Sequence, residues 1–155
     1  MTRFYIEIGE TATFSKTLTE TDIALFAAVS GDFDPVHVDD AYAATTRFGR
    51  RIAHGILSMA LFSTVSATIS RRAKERGFPG VSVSLGYDRI RFLKPVFVGD
   101  TLTARYTVRE LDPARRRSRS SVEVLKDSGE TAVAGEHVMA WLDDTREEGR
   151  GKREE

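Results

Sequence analysis

An uncharged run from Gly55 to Ser70 (GILSMALFSTVSATIS) constrains this chain more than any other feature. Ile56, Leu57, Met59, Ala60, Leu61, Phe62, Val65 and Ile69 occupy the whole circumference of a helix, and a helix apolar on every face has to be buried on every face. The run falls short of the roughly 20 apolar residues that cross a bilayer. It is expected as one buried helix from Gly55 to about Arg76, ending at Gly77 just ahead of Pro79. Beyond it the hydrophobic period changes to two. Val81, Val83, Leu85 and Tyr87 alternate, Ile90 and Phe92 resume after a phase slip that predicts a bulge, and Leu102, Ala104, Tyr106 and Val108 alternate again. Ser120 to Leu125 and Thr131 to Leu142 supply two more strands, and four successive strands joined by tight turns imply an antiparallel sheet.

A sheet of that kind covers such a helix most simply by curving around it. The expected class is therefore α+β with a hot-dog fold, an antiparallel sheet wrapped around one long buried helix. Ahead of the helix, Thr11 to Leu18 favours a strand. Thr19 then offers an N-cap with Asp22 three positions on, so a helix is expected from Glu20 to Ser30, closed by Gly31. The stretch GDFDPVHVDD that follows is expected as an irregular loop because of Pro35, and Asp40 to Thr46 as a second short helix.

Bulk properties narrow the function. At 155 residues one domain is expected, spanning 1–142, with 143–155 (DDTREEGRGKREE) as a disordered charged tail. Lys+Arg and Asp+Glu balance at 23 each, which argues against nucleic-acid or membrane partners. The absence of cysteine excludes disulfides and Cys-ligated zinc or iron–sulfur sites. The start, MTRFYIEIGE, lacks the apolar core of a secretory signal, so a cytoplasmic protein is expected.

Chemistry gathers in Asp32-Phe33-Asp34-Pro35-Val36-His37 and, further on, in Arg51-Ile52-Ala53-His54-Gly55. A carboxylate and an imidazole on one loop can both reach a single water molecule, one taking its proton while the other donates to carbon. Hydration of a double bond needs that pair. Charge developing on a thioester oxygen is met by main-chain N–H groups at a helix start, where Gly55 allows close approach.

With these residues the sequence resembles the MaoC-like, or R-specific, enoyl-CoA hydratase family. The family's Ser-Gly-Asp, x-Asn-Pro-x-His and Ala/Val-His-Gly are matched by Ser30-Gly31-Asp32, Phe33-Asp34-Pro35-Val36-His37 and Ala53-His54-Gly55. The likeness also covers Ala44-Thr45-Thr46-Arg47-Phe48 and the turn Phe92 to Asp100. It implies that Asp32 and His37 activate the catalytic water, that the Gly55 amide contacts the thioester oxygen, and that Ser63 supports the aspartate. His54 and Pro35 complete the candidate substrate-binding set. It also implies an acyl-CoA substrate and a homodimer or higher homo-oligomer whose sheets join edge to edge. The family's Asn is Asp34 here, and a second carboxylate facing the site would raise the pKa of one or both acids.

Other readings stand beside this one. The fold would also suit a hot-dog acyl-CoA thioesterase, or a non-catalytic acyl-CoA-binding subunit of a hetero-oligomer. His54 equally suits a structural histidine bonding the main chain, and His137 is expected to be structural. Arg47, Arg50 and Arg51 are candidates to meet the phosphates of CoA, whereas Arg115 to Arg119 read as a solvated hairpin turn. The cluster Asp32, Asp34, His37, Asp39 and Asp40 lacks the ligand order and glycine of an EF-hand loop, so neither a metal nor a cofactor is expected.

Overall fold

The computed structural model describes residues 4–143, so all but the first residue of the expected charged tail lies outside the described residues. Five strands, β1 (Thr11–Thr17), β2 (Val81–Phe92), β3 (Thr101–Asp112), β4 (Arg117–Lys126) and β5 (Thr131–Leu142), form one antiparallel sheet in the order β1-β3-β4-β5-β2. The helices are α1 (Glu20–Ser30), α2 (Pro35–Val38), α3 (Asp40–Thr45), α4 (Gly55–Met59) and α5 (Leu61–Glu75). Helix α5 packs against β1, β3 and β4. Its Phe62, Val65, Ile69 and Ala73 meet the inward face of β3, where Leu102, Ala104, Tyr106 and Val108 are all buried. The period-two reading of β3 thus names the core side of that strand.

Four expectations need correction. The long helix is two segments meeting at Ala60. It is also not buried all round: Ile56 is 54% exposed, and Ser63 and Ala67 lie open on the same side. An apolar circumference is satisfied here by the sheet on one side only. Strand β2 does not pair with β3 but lies at the far edge beside β5. The chain between them is too long for a hairpin and crosses the molecule, tied down by Leu93 N–H to Ala132 O and by Gly99 N–H to Leu18 O, both at 2.8 Å. Finally, the loop after Gly31 contains α2, because Pro35 at a first helical position starts a helix as readily as it ends one.

The expected bulge in β2 is present, with register shifts at Ser84/Gly86 and Asp88/Arg91, and Arg89 in the left-handed region at φ 55°. The start of α1 is also as read. Thr19 Oγ1 accepts from Asp22 N–H at 3.2 Å, and Asp22 Oδ2 accepts from Thr19 N–H at 2.8 Å. Thr19→Ala is expected to lower stability by about 1 kcal/mol, measured as a shift of the urea midpoint.

Candidate active site

The site begins where α1 stops. Gly31, at φ 77°, takes the left-handed conformation that closes the helix, and its N–H returns to Ala27 O at 2.8 Å. This reversal aims the next residues back across the end of the helix. Ser30 Oγ donates to Phe26 O and accepts from Asp32 N–H, so Asp32 starts from a fixed main chain. Asp32 Oδ1 then accepts from Asp34 N–H at 3.1 Å, leaving Oδ2 without a main-chain partner among the described residues.

Asp34 is the N-cap of α2: its Oδ1 accepts from Val36 N–H at 3.0 Å. Asp and Asn cap equally well, which gives the departure from the family motif a local structural role. Pro35 occupies the first turn of α2 and is exposed, so its place is at the start of the helix that carries His37. His37 Nδ1 lies 2.8 Å from Ile52 O. A carbonyl oxygen only accepts, so Nδ1 is the donor in this bond and Nε2 is the nitrogen left for a ligand. Two main-chain bonds, Ile52 N–H to Val36 O at 3.2 Å and Ala53 N–H to Val96 O at 2.7 Å, lock this loop to the segment that precedes α4.

His54 lies behind the pair. It is 3% exposed, its Nε2 donates to Asp32 O at 3.0 Å, and its ring stands 3.9 Å from that of His37 and 4.8 Å from that of Phe26. The geometry favours the structural histidine over a substrate contact. Ligand atoms of Asp32, His37 and His54 all lie within 4.8 Å of one another. Two hydrogen bonds of about 2.8 Å meeting at one tetrahedral water span about 4.6 Å, so a single solvent molecule fits between the Asp32 carboxylate and His37. Two of the four ring nitrogens, His37 Nδ1 and His54 Nε2, are engaged by main-chain carbonyls.

A cavity of about 450 Å³ adjoins His37 and Gly55. Its rim carries Arg47, Phe48 and Lys94, and its floor is formed by buried Ala53, Val96 and Val133. Phe92 crosses its wall so closely that a Cβ on residue 55 would stand 2.8 Å from the ring. A larger residue at 55 would therefore push the half-exposed Phe92 ring aside, a constraint separate from the ligand approach expected from the sequence. Ser63 is exposed on α5, and its side chain makes no hydrogen bond among the described residues, to Asp32 or to any other group. Arg51 is held by Asp40 and Glu20, both at 2.7 Å, which raises its pKa and withdraws it from phosphate binding. Arg47 and Arg50 lie over Phe48 and Phe97 and have no carboxylate partner among the described residues.

The model of the family described as MaoC like domain matches residues 4–132. The chain belongs to the MaoC-like domain family. This MaoC-like chain is 37% identical over 134 residues to the (R)-specific enoyl-CoA hydratase of Aeromonas caviae, covering 86% of this chain and 94% of that one. It is 40% identical over 111 residues to the (R)-specific enoyl-CoA hydratase of Rhodospirillum rubrum, with 72% of each chain covered. Among solved structures it is similar to the (R)-hydratase of A. caviae involved in PHA biosynthesis, with a TM-score of 0.75 and 36% identity over 88% of this chain and 98% of that one. A TM-score of 0.76 and 41% identity relate it to an unliganded R-hydratase from Pseudomonas aeruginosa, over 91% of this chain and 86% of that one. The hot-dog fold expected from the sequence is thus the fold of the MaoC-like domain.

Two features of this MaoC-like site gave no signal in the sequence reading. One is Ser58, 1% exposed in the cavity wall. The other is the approach of Phe92 to Gly55.

Proposed function

We propose that this MaoC-like protein is an enoyl-CoA hydratase, adding water reversibly to trans-2-enoyl-CoA thioesters to give (R)-3-hydroxyacyl-CoA. The observation that carries the reading is the joint placement of Asp32 and His37 within reach of one water, beside an apolar cavity that opens at Gly55. The (R)-specific enoyl-CoA hydratases at 37% and 40% identity support it.

In the forward direction the water oxygen bonds to the β-carbon. One member of the Asp32–His37 pair takes a proton from that water while the other delivers one to the α-carbon. The electron pair of the double bond passes through the enolate, whose oxygen is stabilised by the Gly55 N–H. No electrons leave the substrate, so the reaction needs no redox cofactor. Arg47 offers a cation for the phosphates of CoA at the cavity rim, beside Lys94, which pairs with Glu130 at 3.3 Å. The test is loss of the ultraviolet absorbance of crotonyl-CoA on adding the purified protein. Release of free thiol without loss of the double bond would replace this reading with a thioesterase.

The same reading takes the protein as a cytoplasmic homodimer. No helix among the described residues is long and apolar enough to cross a membrane, and a chain without cysteine suits a reducing compartment. Strand β2 is an unpaired sheet edge on which Val81, Val83 and Leu85 are 45%, 40% and 49% exposed, next to the open side of α4 and α5. An apolar edge of that length invites a second strand. Sedimentation velocity is expected to show a dimer for the wild type and a monomer for V83K/L85K; a wild-type monomer removes the dimer from the reading.

A further inference from the structure

A helical serine often bonds the carbonyl one turn back, and several helical hydroxyls of this chain do so, whereas the exposed Ser63 is left to solvent. Ser30 Oγ donates to Phe26 O, Ser66 Oγ to Ser63 O and Thr68 Oγ1 to Thr64 O. Ser58 does not. Its residue is 1% exposed and its hydroxyl has no hydrogen-bond partner among the described residues, although His54 O lies one turn back and already accepts from Ser58 N–H at 3.3 Å. Leaving a buried hydroxyl unpaired is destabilising, a penalty that the fold would avoid with alanine. Ser58 is one of the residues that line the cavity together with Gly55 and His37.

Its direction follows from helix geometry. Residues three apart share a face, and helical side chains lean back over the turn that precedes them. Ser58 therefore leans toward Gly55. Phe92, Val96 and Val133 make the neighbouring wall apolar, so a ligand oxygen entering the cavity would compete for this hydroxyl with His54 Nδ1, a buried nitrogen one turn back that also lacks a partner among the described residues.

We infer that Ser58 is a second hydrogen-bond donor to the thioester oxygen of the substrate, acting beside the Gly55 N–H. The inference rests on the hydratase reading and adds a catalytic residue to it. As the enolate forms, negative charge grows on that oxygen, and a neutral O–H held in a dry wall stabilises it without reorganisation. The hydroxyl keeps its proton throughout, so Asp32 and His37 remain the only proton carriers.

Three variants and one spectrum test it. Ser58→Ala is expected to lower kcat for crotonyl-CoA by on the order of a hundredfold with KM little changed, the signature of an interaction made in the transition state. Its urea midpoint is expected at or above that of the wild type, because the unpaired hydroxyl is gone. Ser58→Thr keeps the donor and is expected to retain activity, and Ser58→Val to behave like the alanine variant. In the infrared spectrum, the carbonyl stretch of bound butyryl-CoA, which cannot be hydrated, is expected at lower frequency in the wild type than in Ser58→Ala. Wild-type kcat in Ser58→Ala, or activity lost only in step with stability, would overturn the assignment while leaving the hydratase reading intact. If the wild type does not hydrate crotonyl-CoA, the hydratase reading fails and the carbonyl band decides alone. An unmoved band, or no binding of butyryl-CoA, rejects Ser58 as a donor.

Discussion

Asp32→Asn and His37→Gln are each expected to lower kcat for crotonyl-CoA hydration by about 10²- to 10⁴-fold, the range for removing a positioned proton carrier. Both replacements are chosen to leave the scaffold in place. An asparagine side chain at position 32 would keep an oxygen for the Asp34 N–H that Oδ1 now accepts at 3.1 Å. The amide of a glutamine at position 37 can donate to Ile52 O as Nδ1 does at 2.8 Å. Stability is therefore expected to change far less than rate, measured as urea midpoints beside initial rates. The double variant should be little slower than the slower single one, because two groups acting on one water fail together. Full activity in both single variants would end the assignment of the pair.

The residues behind this prediction are legible in the sequence, and the reason is local. Ser30-Gly31 ends a helix by a rule that depends on a few neighbouring residues, and Pro35 fixes the entry to the next one, so the loop bearing Asp32 and His37 follows from short-range chemistry. The alternation of Leu102, Ala104, Tyr106 and Val108 is equally local, since a strand with one face on a helix has to read in twos.

What the sequence hid depends on closure over long distances. Strand order cannot be read from a period, so β2 looked like the neighbour of β3 although the chain from Leu93 to Asp100 carries it across to the opposite edge. The apolar circumference of α4 and α5 looked like complete burial because the pattern does not distinguish a face covered by the same chain from one left open, as at Ile56. The sequence leaves open whether Asp34 faces the site or solvent, and only the bond to Val36 N–H shows it serving as a cap. Ser58 was invisible for a related reason. Nothing in GILSM separates a serine bonded to its own helix from one with no partner.

A second large effect is expected far from the proposed chemistry, at His137, which the sequence reading took as structural. It is fully buried on β5, with Nε2 2.8 Å from Ser84 Oγ and Nδ1 3.1 Å from the Tyr106 hydroxyl, and it stacks on Tyr87 at 4.4 Å. These partners are all neutral, so nothing offsets the loss of solvation when the ring gains a proton. Burial accordingly pushes its pKa from 6.5 down to about 4. The unfolded chain binds a proton at this ring as pH falls through about 6.5, whereas the folded chain refuses it until about 4. The stabilisation from the neutral ring is therefore complete above the unfolded pKa and is lost as pH falls through that window. A gap of that size is worth about 3 kcal/mol. Urea titrations at pH 7.5, 5.5 and 4.5 should show the wild type losing more stability than His137→Gln, which keeps a donor and an acceptor but does not titrate. Carboxylates with lowered pKa values, such as Glu10 and Asp22, add acid sensitivity mainly below the window and do so equally in both proteins. The difference between the two curves therefore isolates the histidine, and parallel curves from pH 7.5 to 4.5 would mean that the ring is protonated in the fold without penalty.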